Sequence, residues 1–361
     1  MKKMKKTVVL AALTVATLSM LTGCGKKEEA TTSTSAPVAE DTTATEAVVP
    51  GHEGQIQHPL TGEWIDEASY DNKRPITVMI NNLKPAIPQA GVEKADIIYE
   101  VLVEGGITRL LGVFSDYSGL EKIGPIRSAR HYYVKMALEY DSIYVHVGHS
   151  TYAVTELEES KIDHIDGTKG IGNVFCFRTK DRKAPHNCYS SSEKIDAAFA
   201  QEGFQLTHKD TYNSAKFAFN AEDTDLADGT VANKITTAYN SSRKPWFEYN
   251  ATDKLYYRFQ YGDKHIDELT GNQLAFKNLI VQFAPHSVLD AKKDLQEIDL
   301  VGTGEGFYAS NGKIIPITWK KETDRGITQY FTADGEQLKM NPGKTFITIF
   351  KDTQKSDIIV E

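Results

Sequence analysis

The chain has 361 residues, 41 Lys+Arg against 49 Asp+Glu, a formal charge of −8, and is 40% hydrophobic and 25% charged. That length exceeds a single core and fits about two domains with appendages. The composition excludes a collagen, a coiled coil, a disulfide-dense miniprotein and a wholly disordered chain, and the acidic balance argues against electrostatic capture of nucleic acid, so no nucleic-acid partner is expected.

The N-terminus carries four lysines, an apolar run from Val8 to Leu21 and small residues ahead of Cys24. This is the order of an export signal, and the run is too short to span a bilayer comfortably. Leu21-Thr22-Gly23-Cys24 resembles a bacterial lipobox, in which the cysteine is lipidated and becomes the first residue of the mature protein. Loss of residues 1–23 removes four lysines and no acids, taking the charge from −8 to −12. Residues 24–60 hold almost no large apolar side chains and are dominated by Ala, Thr and Ser between Ala30 and Ala47. Such a stretch cannot offset its ordering entropy and reads as a disordered tether with a reach on the order of 33 Å.

Folded sequence is expected from residue 61. A strand is predicted at Ile76–Ile80, then an apolar run at Asp96–Val103, a turn at Glu104-Gly105-Gly106-Ile107 and a return strand at Thr108–Ser115. The paired glycines supply the backbone freedom of a tight hairpin. Ala129, Tyr132, Tyr133, Met136, Ala137 and Tyr140 follow helical spacing, with Ser128 as the expected N-cap. Ser142–Val147 alternates as a strand, and residues 151–160 and 191–202 read as helices. Beyond residue 205, aromatic-rich alternating segments recur at Ala215–Phe219, Trp246–Tyr249, Lys254–Tyr261, Asn278–Phe283, Gly306–Ala309, Ile314–Trp319, Thr328–Phe331 and Thr345–Phe350. The expected class is α+β: a signal peptide (1–23), the lipidated cysteine and tether (24–60), an N-terminal α/β domain with a mixed sheet (61–205), and a β-rich C-terminal domain (206–361).

The densest polar constellation falls within residues 100–187. Arg109 follows the hairpin, Arg127, Ser128 and Arg130 stand at a helix entrance, and Arg178 and Asn187 come later. Arginines at a helix N-terminus suit a carboxylate or phosphate, so these six residues are the candidate anion-binding set. The bland alternative pairs the arginines internally with Glu100 and Glu104. Glu104, His146, His149 and His186 are the candidate acid–base residues of an enzyme. Ser150 lacks the second glycine of a nucleophile elbow and suits a helix cap better. Cys176 and Cys188 are open between a disulfide and free thiols, and Cys188 beside His186 is not the usual arrangement of a thiol dyad. Asp223–Gly229 has the wrong spacing for a calcium loop, His265 and Asp267 lack a third ligand, and Gly302–Gly306 precedes strand-like sequence, so neither metal nor cofactor is expected.

Arg74-Pro75 with Met79-Ile80-Asn81-Asn82, Glu104-Gly105-Gly106-Ile107-Thr108-Arg109, Gly124-Pro125-Ile126-Arg127-Ser128-Ala129-Arg130 and Ala184-Pro185-His186-Asn187 stand in order. With Tyr256-Tyr257-Arg258, His265-Ile266-Asp267 and Asn311-Gly312-Lys313 through Trp319-Lys320, they resemble the YerB-like lipoprotein family of Gram-positive bacteria over most of residues 70–350. The resemblance implies an N-terminal layered α/β sandwich-type domain followed by a smaller β-rich C-terminal domain, and no activity. The expected function is therefore that of a binding or interaction protein of the cell envelope. It would be anchored by Cys24 to the outer face of the cytoplasmic membrane and take an anionic envelope ligand or a protein partner. The alternative is a wall-polymer hydrolase or transferase.

Overall fold

Segments buried on both faces dictate the centre of this molecule. In the computed structural model, which describes residues 49–208 and 217–361, every residue of Ile76–Asn81 and of Asn278–Ala284 is buried. Such strands lie inside a sheet covered on both sides. The first half supplies β1 (Ile76–Asn81), β2 (Ile97–Val103), β3 (Ile107–Phe114), α1 (His131–Leu138), β4 (Ile143–His146), α2 (Thr151–Ser160), β5 (His164–Asp166) and α3 (Ser192–Glu202). The second half supplies β6 (Lys234–Thr237), β7 (Trp246–Asn250), β8 (Leu255–Gln260), β9 (Asn278–Ala284), β10 (Gly302–Ser310), β11 (Lys313–Lys321), β12 (Thr345–Lys351) and β13 (Ile358–Val360).

One eleven-stranded sheet runs Thr230–Val231, β11, β10, β9, β12, β2, β3, β1, β4, β5, with Gln329–Thr332 added on β11. It is mixed: β2–β3 and β3–β1 are antiparallel, whereas β1–β4–β5 and β9–β12–β2 are parallel. The pairing of β12 with β2, Thr345 opposite Ile97 through Ile349 opposite Val101, joins the two halves of the chain in one sheet. The boundary expected at residue 205 therefore does not separate two sheets. A second, six-stranded antiparallel sheet comes wholly from the second half, in the order Asp263–Lys264, β8, β7, β6, β13, with Ala275–Phe276 on β8.

The large sheet divides the core in two. Tyr99, Val101, Leu111 and Val113 face a cluster with Tyr132, Tyr133, Tyr140 and Leu157, side chains of α1, α2 and their flanks. Ile98, Leu110, Ile76 and Val78 face the other cluster with Ile195 and Phe199 of α3 and with Ile235, Phe247 and Tyr256 of the second sheet. Arg109 and Glu100 therefore project from opposite faces, since side chains alternate along a strand. Gly304 shows why glycine recurs in β10: a Cβ there would lie 2.5 Å from the indole nitrogen of Trp319, which donates to the Phe283 carbonyl at 2.8 Å.

Two expectations change. The tether expected over residues 24–60 gives way to order before its end, because Gln55–Gln57 pairs antiparallel with Trp64–Asp66. Trp64 stacks on His52 at 3.9 Å and donates to the Ala221 carbonyl at 2.8 Å, so a tryptophan just beyond the segment supplies the surface the segment lacks. The helix expected from Ala129 begins at His131, and its N-cap position is Arg130, which makes no side-chain capping bond; Ser128 lies outside the helix. The signal segment, Cys24 and the tether up to residue 48 lie outside the described residues.

Candidate functional site

The parallel trio β1, β4 and β5 ends in one direction, and the chain leaving each strand there carries polar residues. Asn81 ends β1, His146 ends β4 and Asp166 ends β5. The extended segment 126–129 lies across these ends: Arg127 N–H donates to the Met79 carbonyl at 2.8 Å, Val147 N–H to the Arg127 carbonyl at 3.0 Å, and Ala129 pairs with His149. Carboxyl ends of parallel strands are where open α/β sheets place ligands.

Glu104, at the hairpin between β2 and β3, organises the arginines. Its carboxylate accepts from Arg109 at 3.0 Å and from Arg130 Nε at 2.8 Å, with a further bond from Arg130 Nη2. Burial alone would raise its carboxyl, but hydrogen bonds from Arg130 and the charges of Arg109 and Arg130 outweigh it and hold the group at about 2. Arg109 also donates to the Ser128 carbonyl at 2.5 Å, and Arg130 to the Ala129 carbonyl at 2.6 Å. These two arginines are thus committed to a carboxylate and to the backbone beneath the helix entrance. Glu104, ionised and held on both oxygens, is not poised as a general acid.

Arg127 differs. It is half-buried, its guanidinium donates to the Pro185 carbonyl at 3.3 Å, and its buried Nε has no partner among the described residues. Burial, with the neighbouring Arg130 charge, lowers its pKa from the usual arginine value, the response of a cation short of counter-charge. His186 stands beside it, its Nδ1 2.9 Å from the Asn81 amide, and burial together with the Arg127 charge lowers the imidazole.

The histidines separate by depth. His146 is fully buried, with Nδ1 2.8 Å from the Gly148 carbonyl and Nε2 3.0 Å from His164 Nδ1. Burial holds it at about 4, so it is neutral at physiological pH. His149 keeps partial exposure and places Nε2 3.5 Å from Asp166 Oδ2. The other Asp166 oxygen accepts from Gly148 N–H at 2.8 Å and Thr168 N–H at 2.9 Å, fixing the loops after β4 and β5. Ser150 caps α2 through its hydroxyl, which accepts from Ala153 N–H at 3.3 Å.

Arg178 and Asn187 form a pair of their own at 2.9 Å on the short hairpin of Phe177–Arg178 and Cys188–Tyr189. Asn187 also donates to the Thr179 and Arg182 carbonyls, so its amide shapes the loop between them. Cys176 and Cys188 are free thiols with sulfurs 3.1 Å apart. A hydrogen bond from Cys188 draws the Cys176 thiol down to about 7, while the same contact and burial push Cys188 up. Asp223, in the acidic turn, binds Lys254 at 2.8 Å and Lys277 at 2.6 Å. His265 is buried between Arg258 at 3.1 Å and Gln89 at 2.7 Å. Asp267 accepts from Glu93 N–H and Leu269 N–H.

Sequence reading missed Asp166, Asn81 and His164. Asp166 had one signal, an aspartate directly before Gly167-Thr168, the pattern of a side chain that folds back on its own loop.

Compared with known proteins, residues 60–205 match the family described as Protein of unknown function (DUF3048) N-terminal domain, and residues 235–347 match its C-terminal domain. The Bacillus subtilis (strain 168) protein named "Putative lipoprotein YerB" is 32% identical over 311 residues, covering 86% of this chain and 91% of that protein. A crystal structure of YerB protein from Bacillus subtilis is similar with a TM-score of 0.73 at 30% identity, covering 85% of this chain and 99% of that one.

Proposed function

The chain belongs to the DUF3048 family, and from that premise we propose that it is a lipid-anchored binding protein of the cell envelope whose site is centred on Arg127. The similarity to a protein named as a lipoprotein supports the anchor, together with the lipobox-like Leu21-Thr22-Gly23-Cys24. Acylation at Cys24 contributes about 0.8 kcal/mol per buried CH₂, and several chains hold firmly. Replacing Cys24 with Ala should move the full-length protein from the membrane fraction to the soluble one on fractionation of expressing cells. Retention in the membrane would refute the anchor.

The observation that carries the ligand reading is the buried Nε of Arg127 at the strand ends, without a partner among the described residues, beside two arginines that share the single carboxylate of Glu104. A guanidinium short of counter-charge, with His186 and Asn81 alongside, suits a phosphate or carboxylate of an envelope component. Binding is favoured over wall-polymer hydrolysis because Glu104 is locked as a carboxylate and His146 is neutral and sealed from solvent. Inorganic phosphate, titrated into the folded protein and followed by NMR, should shift resonances around residues 127 and 186 saturably. Arg127→Ala should weaken that response about tenfold, the loss of one charge-assisted bond. An unchanged affinity in a folded Arg127→Ala protein would remove the site.

A further inference from the structure

The short hairpin after the strand ends pairs Phe177 with Tyr189 and Arg178 with Cys188. Cys176 enters it in extended conformation, with φ −130° and ψ 160°. Its side chain therefore leaves on the same face as that of Arg178 and meets Cys188 diagonally across the two strands. The sulfurs stand 3.1 Å apart, and a disulfide bond is about 2.05 Å long, so closing the bond takes a movement of about 1 Å. The backbone on both sides is held. Cys176 N–H donates to the Gly172 carbonyl at 3.0 Å, and the Cys188 carbonyl accepts from Ile126 N–H at 2.7 Å. Ser190 Oγ donates to the Phe175 carbonyl at 2.6 Å, which ties the strand of one cysteine to the residue before the other.

The two thiols are not alike. Cys188 is 1% exposed, whereas Cys176 is only partly buried, at the margin of the core. Cys188 donates to the Cys176 sulfur. That hydrogen bond, with the charges of Arg178 and Lys194, outweighs burial and holds the Cys176 thiol at about 7. The thiolate is the attacking form in thiol–disulfide exchange, so the pair has an accessible attacking sulfur and a sealed second one behind it. Neither sulfur belongs to a metal-binding cluster among the described residues.

We propose that Cys176 and Cys188 are a dithiol redox site that closes to an intramolecular disulfide, with Cys176 the attacking and Cys188 the resolving thiol. The co-reactant is a low-molecular-weight disulfide. The Cys176 thiolate attacks one of its sulfurs, the S–S bond breaks, and one thiolate leaves with the electron pair. Cys188 then gives up its proton and attacks the Cys176 sulfur of the mixed disulfide, expelling the second thiolate. Two electrons pass from the protein to the co-reactant, and the two protons lost by the cysteines go to the two departing thiols. The new bond closes the base of the loop 177–187, which is already pinned by Arg182 donating to the Ala86 and Pro88 carbonyls at 2.7 and 2.8 Å. A location outside the membrane permits such a bond, and the chemistry itself does not depend on the Arg127 reading.

The full-length Cys24→Ala protein keeps Cys176 and Cys188 as its only thiols. Incubated in the folded state at about pH 8 with oxidised glutathione, then denatured and treated with iodoacetamide, it should carry neither an alkyl group nor glutathione on either cysteine. Trypsin cleaves after Arg178 and Lys183, so the bond should appear as two linked peptides, each holding one cysteine. Cys188→Ala should instead retain one glutathione on Cys176, having no second thiol to expel it. Cys176→Ser should consume oxidised glutathione about tenfold more slowly, because the remaining thiol is sealed from solvent. Two alkylated thiols, a lasting glutathione adduct on the protein with both cysteines, or a bond joining two molecules would each overturn the disulfide. Undiminished consumption by Cys176→Ser would overturn the assignment of the attacking thiol.

Discussion

Arg258→Met is expected to destabilise the protein by about 3–5 kcal/mol, a large part of the 5–15 kcal/mol typical of a folded domain. The reason is Glu100. Its carboxylate is 1% exposed and relies on Arg258 for counter-charge at 2.8 Å, while Asn82 and Thr108 offer hydrogen bonds but no charge. With methionine at 258 the carboxylate stays buried and uncompensated. Removing both charges, as Arg258→Met with Glu100→Gln, should recover most of the loss, because replacing a whole buried pair with groups of similar volume is close to neutral. Arg258 also lies over the Phe346 ring at 4.6 Å, so methionine keeps some of that packing. Urea denaturation of the two single variants and the double variant decides the matter. A single Arg258→Met within about 1 kcal/mol of the parent would show that the pair does not hold the sheets together.

Acid should remove a second, separable part of the stability. Glu104 sits at about 2 in the folded protein against 4.5 for a free glutamate. Between those values the unfolded chain binds a proton that the folded one does not, so stability falls as pH falls. The contribution is fully present above about 4.5 and gone by about 2. A displacement of that size corresponds to at most about 3 kcal/mol, and screening reduces it to about 2 kcal/mol because the side chain is 26% exposed. Denaturation midpoints followed from pH 5 downward should drop across this window. Glu104→Gln should be less stable at neutral pH, with Arg109 and Arg130 left unneutralised, yet flatter below about pH 4.5. A parallel pH dependence in parent and variant would show that Glu104 is not the group responsible.

Both predictions concern glutamates on strands or turns that the sequence places accurately. The hairpin at Glu104–Gly106 is legible because two consecutive glycines follow an apolar run, and both adopt positive φ, 69° and 63°. The helices at Thr151–Ser160 and Ser192–Glu202 are legible from serine caps and apolar spacing. The candidate site was legible as a set of residue types and not as an arrangement. Arg109, Arg127 and Arg130 look alike in one dimension. Their roles divide because Glu104 comes within hydrogen-bond reach of two of them and not of the third.

Local chemistry, then, was fixed by the order of residues: an export-like N-terminus with Cys24, a strand–turn–strand at 97–114, helices with their caps, and an aromatic, alternating second half. Each of these depends on neighbours a few positions away, through backbone freedom, capping or side-chain alternation. Pairing across long separations was decided by the tertiary structure alone. It placed β12 beside β2 and so merged the two halves in one sheet. It set Arg258 against Glu100, 158 positions apart. It also left the Arg127 Nε without a partner among the described residues. Periodicity tells which face of a strand is buried and says nothing about which distant segment covers it, and a charge's partner is a property of that covering segment.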